Sequence, residues 1–497
     1  MGGGRVSEDQ STRWILWSRE AAGQSAPAAP FRPPRADAAR PAVESPVQAV
    51  PRPAPPPLDG VQPAPGSQVT HRPGSRTLST ADHELVEEIV QRRLITSEFQ
   101  PIRDLRRNQV VGFEALSRGP KGPLRSPDRL FAAATAAGLV GQLDWICRAT
   151  AFRTLLEQDL PPSVSLFVNV EPDSLIEPCP DDLLETIWQA TARLRVFIDV
   201  TGRALTRYPT EVLETVRRAR AAGWGVAVAD VEFSASGLAL LPALEPDVLK
   251  MNHAALNIGA GTACTAIGAA LAEVEHTGAA LLLQRIEDEA GSQVGRSIGA
   301  MYQAGRLHGM PGPLPRSLPS PMAPIPLRQV KHDGPETPWD VLSNNGAHIS
   351  TGAHHDGVTY LLRTFATEAA SAALPPVVAV VLPDNAMTTQ QENALLYRML
   401  LERCPLSLVA GWDVHRMNDW HVRAADLPAG HPLLNQFCFA ALSPALSVVL
   451  VARLDIRRPG VVDIAVSHQP TTCRQVFRNI IEVLDTLEGG VRHGMGR

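Results

Sequence analysis

Apolar positions begin to recur with order at residue 85. Leu85, Val86, Ile89, Val90 and Leu94 repeat at helical spacing within "STADHELVEEIVQRRLI", and Ser79 with Asp82 supplies the opening signature of a helix. From there to about residue 317 two rhythms alternate. Short apolar runs read as strands: "NQVVGFEAL", "SVSLFVNV", "LRVFIDVT", "GVAVADV", "DVLKMN" and "AALLLQRI". Between them lie stretches of helical periodicity: "SPDRLFAAATAAGLVGQLDWICRATAFRTLLEQ", "CPDDLLETIWQATAR", "YPTEVLETVRRARAAG" and "TACTAIGAALAEVEHTG". Strands alternating with helices predict a mostly parallel sheet. Six or seven such units in one stretch favour a closed barrel over an open sheet.

The pattern then breaks at "GPLPRSLPSPMAPIPLRQ" (312–329), a Pro-rich linker, and a second α/β segment follows. It reads as a helix near "TYLLRTFATEAASAA", a strand "PVVAVVLP", a helix "QQENALLYRMLLERC", strands at "LSLVAGW", "FCFAALS" and "LSVVLVARL", and a last amphipathic helix "CRQVFRNIIEVLDTL". Residues 1–79 show neither rhythm. They are Pro/Ala-rich with scattered Arg and are expected to be disordered, with Trp14 and Trp17 as a candidate partner anchor. The expected organisation is a tail (1–79), a barrel (80–317), a linker (318–336), a smaller α/β domain (337–490) and a short tail (491–497).

Composition narrows the function classes. In the 497 residues, 44% are hydrophobic and 20% charged, a globular average that hides the proline-rich start. A net charge of −5 excludes a nucleic-acid binder held by bulk electrostatics. Cys147, Cys179, Cys264, Cys404, Cys438 and Cys473 form no metal-knuckle or redox spacing and read as reduced thiols of a cytoplasmic protein. The apolar runs fall well short of the roughly 18 residues that span a bilayer, so no membrane span is expected.

Candidate chemistry sits at the strand ends. In α/β barrels the loops that follow the strands carry the site. Glu114 ends the first run, Asn169 ends "LFVN", Asp199 ends "VFID", Asp230 ends "VAVAD", Lys250 ends "DVLK", and Gln284 and Glu287 close "LLLQRIE". A cap on the next helix is the alternative for each singly, but Asn169, Lys250 and Gln284 are mediocre caps, and a shared polar mouth explains all of them together.

"FQPIRDLRRNQVVGFEALSRG" resembles the opening of the EAL domain, the cyclic-di-GMP phosphodiesterase fold, which reads Q-P-I and then G-[YF]-E-A-L-x-R. The rest of the barrel region follows the same register. "FVNV" matches the family's Asn strand, "IDVTGRAL" its E-L-T-E segment, "VADVEFSASG" its D-D-F-G-T-G loop, "DVLKMN" its D-x-x-K-x-D, "LLLQRIED" its A-E-G-V-E-T and "GRLHGMPGPLP" its closing Q-G-x-x-x-x-x-P. The resemblance implies a TIM-type barrel and two-metal hydrolysis of a cyclic dinucleotide, with Mg²⁺ or Mn²⁺ held by converging oxygens. It places Glu114, Asn169, Asp199, Asp230, Lys250 and Glu287 at the family's catalytic positions, and Glu114, Asn169, Asp199 and Asp230 as the ligands of any metal that binds.

The departures matter as much as the matches. Asp199 replaces a Glu and shortens its reach, Gly202 stands at the second Glu of E-L-T-E, and Ala229 stands at the first Asp of D-D. Asn252 replaces the Asp after the lysine, and Gln284 replaces the ligand Glu of A-E-G. At the closing motif Ala304 takes the glutamine's place, with Gln303 one residue off. Losing two ligand carboxylates, at 229 and 284, implies a degenerate site with no resident cofactor, Mg or Mn being needed only for residual activity. Arg118 and Gln100 match the family's nucleotide contacts, so the expected role is a non-catalytic cyclic-di-GMP receptor or regulatory scaffold in signal transduction. A weak phosphodiesterase and a purely structural docking or dimerisation barrel are the alternatives. Lys250, deprived of family acids, is expected to be neutralised by Asp230, with Glu287 next.

The second domain resembles, more softly, the DICT sensory domain, through its leading helix, "LSLVAGW", "ADLPAGHPLLNQF" and "SVVLVARL". That resemblance implies a sensory role, with an unidentified small effector or protein partner. "HISTGAHHDG" collects His348, His354, His355 and Asp356, which read as a polar turn rather than a metal site. "WDVHRMNDWH" places Trp412, His415, Trp420 and His421 in a loop, either packed on the sheet or lining an effector pocket.

Overall fold

The apolar stripe that opens the ordered region is the buried side of a helix, Thr80–Gln91, with Val86, Ile89 and Val90 in the core. The computed structural model describes residues 80–158, 160–171, 174, 177–229, 235–257, 260–321, 323–328, 336–383, 402–454, 458 and 460–494. The expected tail at 1–79, most of the helix expected at 390–404, and Asp230 lie outside them.

Eight strands close into a barrel in chain order: β1 (Thr96–Asp104), β2 (Gln109–Arg118), β3 (Ser165–Val170), β4 (Arg195–Thr201), β5 (Gly225–Ala229), β6 (Val248–Asn252), β7 (Ala280–Gln284) and β8 (Tyr302–Ala304). β1 runs antiparallel to both of its neighbours, and the remaining pairs are parallel. Periodicity had marked neither β1 nor β8, and β8 is only three residues long. The long helical stretch after β2 is two helices, Pro127–Ala137 and Val140–Leu156. Gly138 parts them at φ +67°, a left-handed position that suits glycine, with its amide bonded back to the preceding turn.

Strand alternation fills the barrel. Phe167 and Phe197 stack at 4.6 Å, with Val111, Ala227, Val248, Ala280 and Leu282 in the same interior cluster. A bulge in β2 shapes this packing. Ile102 pairs with Gly112 and Arg103 with Val110, so Val111 is unpaired. Phe113 and Ala115 then join the outer core, which leaves Glu114 on the inner face.

The linker is more than a spacer. Ile325 is fully buried in the interior cluster, and Arg195, at the start of β4, donates to its carbonyl. Pro324 and Pro326 bring no N–H groups to satisfy, so this extended segment crosses the barrel floor cheaply.

The C-terminal domain is a seven-stranded sheet in the order β12-β11-β10-β13-β14-β15-β9. These are β9 (His348–His354), β10 (Val377–Leu382), β11 (Ser407–Gly411), β12 (Val422–Asp426), β13 (Gln436–Leu442), β14 (Ser447–Leu454) and β15 (Val461–Ser467). The first three in spatial order are parallel and the rest antiparallel. Val378 and Val380 pack with the helix His355–Ser371, while Val377, Ala379 and Val381 join the larger apolar cluster, which also holds Cys473, Val476 and Phe477 of the helix Pro470–Gly494.

Two sequence expectations need correcting here. "HISTGAHHDG" is not a polar turn; it forms β9, an edge strand exposed along almost its whole length, which gives it no apolar alternation to read. The final helix also continues to Gly494, past the boundary expected at 490.

The second face of this sheet merges with the outer core of the barrel in one apolar cluster. A buried bidentate pair ties the domains together: Arg474 donates to both oxygens of Glu273, at 2.9 and 2.7 Å, and to the carbonyl of Pro242.

Candidate functional site

β2, β4, β6 and β7 deliver four polar side chains to one end of the barrel. Asp199 and Lys250 are both 0% exposed, while Glu114 is buried nearer the rim. The Lys250 ammonium lies 3.0 Å from Glu114 Oε2, bonds directly to Asp199 Oδ2, and sits 5.4 Å from the centre of the Phe167 ring. Gln284 donates from Nε2 to the same Glu114 oxygen at 3.1 Å. Burial alone would lower the lysine's pKa, but Asp199 and then Glu114 more than offset it, and the ammonium is held above its ordinary value.

This arrangement differs from the expected partner of Lys250. Glu287 is exposed and pairs with Arg306 at 3.3 Å, and Asp230 lies outside the described residues. The lysine is neutralised instead by acids from its own layer of the barrel, β2 and β4. Sequence reasoning missed this because it assigned both acids to a metal. The available signal was the strand alternation that aims Glu114, Asp199 and Lys250 into one interior.

The other candidates lie around this cluster. Asn169 pairs with Asp199 in the strand register but is exposed at the rim. Ala229 is buried at the end of β5 and offers no donor or acceptor from its side chain. Gln100, paired with Glu114 across β1 and β2, donates to the Gly309 carbonyl at 3.4 Å. Arg118 donates to Glu98 at 2.9 Å and to its neighbour's carbonyl, while Arg125 takes the other Glu98 oxygen at 3.1 Å. Glu98 therefore has two guanidinium partners. Gln303 is fully buried, bonded to the Ser292 carbonyl and to His308, so its role is to hold the loop after β8.

The C-terminal candidates do not form a metal cluster. His354 contacts Asp356 at 3.2 Å, and His348 contacts Ser350. Among the described residues no group of three or more His, Cys, Asp or Glu side chains is arranged to hold a metal ion. Trp420 packs against His421, but Trp412 is 53% exposed, so the loop does not pack both tryptophans on the sheet. His415 instead bonds to Asp426, which also accepts the backbone amides of Val414 and His415.

Arg285, directly after Gln284, has φ +58°. It stands where the A-E-G motif has glycine, and a side chain in the left-handed region costs roughly 1–2 kcal/mol. Arg285→Gly is expected to raise stability by up to about 1 kcal/mol, once the entropy of glycine is deducted. Thermal melting checks this, and a lower melting temperature in the variant would refute it.

Comparison with known proteins fits this geometry. Residues 82–311 match the EAL domain family. The chain is 27% identical over 261 residues to an uncharacterized protein of Azorhizobium caulinodans, covering 48% of this chain and 35% of that one. It is 28% identical over 178 residues to a probable cyclic di-GMP phosphodiesterase, PdeB, of Escherichia coli, covering 34% of each. The chain thus spans about a third of the length of these curated relatives. Among solved structures, the PaMucR phosphodiesterase in complex with c-di-GMP superposes with a TM-score of 0.41 at 21% identity, over 47% of this chain and 98% of that one. The FimX EAL domain of Xanthomonas citri in complex with c-diGMP gives 0.40 at 17% identity, over 47% and 94%. Residues 82–311 are an EAL domain.

Proposed function

We propose that this EAL barrel is a signalling module that binds cyclic di-GMP without hydrolysing it, and that the C-terminal domain, which resembles a DICT sensory domain, supplies the input or partner surface. The observation that carries this reading is the engagement of Glu114 and Asp199 by Lys250. Two carboxylates against one ammonium leave a single net negative charge, and Ala229 and Gln284 add none. Hydrolysis by a pair of divalent ions needs several anionic oxygens aimed at one point. Drawing Glu114 and Asp199 onto a metal would also strand a fully buried ammonium, which is costly. The described residues therefore do not fit a two-metal centre, and no hydrolytic step is assigned to them.

Nucleotide binding asks less of the mouth. Arg118 stands at the rim with its guanidinium shared with Glu98, and Gln100 lies on the adjacent strand. A phosphate arriving at Arg118 would compete with Glu98 for a planar fork suited to both. Arg118→Ala is expected to weaken binding of cyclic di-GMP by about 2–5 kcal/mol. Calorimetry with chelator present checks this. Affinity unchanged in the variant would refute Arg118 as the contact, and absence of binding in the parent protein would favour the docking-scaffold alternative.

A further inference from the structure

At the barrel end opposite the polar mouth, the two domains border a half-open cavity of about 1010 Å³. Its walls come from the starts of β4 and β5, the helix Pro209–Ala221, the linker at Leu327 and Arg328, and the helix Pro470–Gly494. Five guanidinium groups border it: Arg195, Arg217, Arg220, Arg328 and Arg478. Glu245 and Glu482 line the cavity beside them, and Asp247 lies behind Arg220. Glu245 pairs with Arg328 at 3.1 Å and with Arg478 at 3.4 Å. Asp247 reaches Arg220 only at 3.7 Å, because its two oxygens already accept the backbone amides of Val226 and Arg328 at 2.7 and 2.6 Å.

Two of the five arginines are left poorly matched. Arg195 donates to the Ile325 carbonyl and has no carboxylate within ion-pair distance among the described residues. Arg220 donates to the carbonyls of Leu244 and Glu245. Arg195 Nε and Arg220 Nη1 are buried without a hydrogen-bond partner. Burial pulls both guanidinium pKa values down, and Asp247 only partly offsets this. At the far edge of the cavity, Asp485 is taken up by Arg217 and Arg423 and does not reach Arg195 or Arg220. Five guanidinium groups against the lining carboxylates Glu245, Glu482 and Asp485 leave two positive charges over, partly offset by Asp247 behind Arg220, and so leave room for a phosphate anion. Trp224, Leu327 and Ile481 supply an apolar wall beside it.

We propose that this interdomain cavity binds a small dianion of the phosphate-monoester class that carries an apolar group. Guanidinium forks match phosphate oxygens in pairs. The volume suits a small molecule, and domain boundaries are where such sites concentrate. The bound molecule touches the barrel, the linker and the last helix together, so it reports on the joint between the domains.

Phenyl phosphate is a suitable probe, titrated into the full chain by calorimetry. Saturable binding of one molecule per chain is expected, with inorganic phosphate about tenfold weaker because it leaves the apolar wall unused. Arg220→Met and Arg478→Met are each expected to weaken phenyl phosphate by about tenfold or more, while Arg92→Ala, at a surface pair with Glu88, leaves it unchanged. Absence of saturable binding, or parental affinity in both cavity variants, would overturn the proposal. If Arg220→Met does not fold, Arg478→Met decides alone, since that side chain is 34% exposed and tolerates replacement.

Discussion

Replacing Asp199 with alanine is expected to destabilise the barrel by about 3–5 kcal/mol, the range for breaking a fully buried ion pair. Asp199 and Lys250 are both 0% exposed, so neither can turn to solvent when the other is removed. Lys250→Met is expected to cost a similar amount, because it leaves Asp199 and Glu114 facing each other. The double variant should recover at least about 2 kcal/mol relative to the sum of the singles, since the charges disappear together. The pH dependence separates the two singles. In the parent, the raised pKa of Lys250 means that its stabilisation is complete below the unfolded lysine value of about 10.4 and is lost only as pH rises beyond it. In Lys250→Met the paired carboxylates lose their counter-ion and their pKa values rise, so stability should fall as pH climbs from about 5 to 8. Denaturant melts across that range check both points. Strict additivity in the cycle would refute the pairing.

Much of this barrel was legible in the chain because its strands are buried on both faces. Runs such as "LFVNV" and "VFIDV" are apolar but for one polar residue each, and a helix follows each at short range. The motif order around "GFEALSRG" then fixed the register of the polar residues. What escaped were features set by tertiary contact. Ile325 sits in a proline-rich stretch that reads as a linker, yet it plugs the barrel floor. β9 is solvated on both sides, so it has no pattern of its own. The Glu114–Lys250–Asp199 cluster joins residues from three strands, and no local spacing reveals which ammonium meets which carboxylate.

The second large effect concerns the joint between the domains. Glu273 is 0% and Arg474 5% exposed, and their two hydrogen bonds are short and parallel. Glu273→Ala leaves the guanidinium with only the Pro242 carbonyl among these contacts, and is expected to cost about 3–5 kcal/mol. Because this pair spans the helix Ala260–Thr277 and the last helix, the loss should appear as separation of the domains as well as a lower melting temperature. Glu273→Leu combined with Arg474→Met should restore most of the stability, since it replaces the pair with apolar bulk. Small-angle scattering of Glu273→Ala should give a larger radius of gyration than the parent. An unchanged radius together with an unchanged melting temperature would contradict the assignment.

Incubating the full chain with cyclic di-GMP and excess Mn²⁺, and separating the nucleotides by chromatography, tests the non-hydrolytic reading most directly. With Glu114 and Asp199 engaged by Lys250, and Ala229 and Gln284 bringing no carboxylate, the parent protein should yield no more linear dinucleotide than Glu114→Ala does. Turnover by the parent that disappears in Glu114→Ala would contradict it.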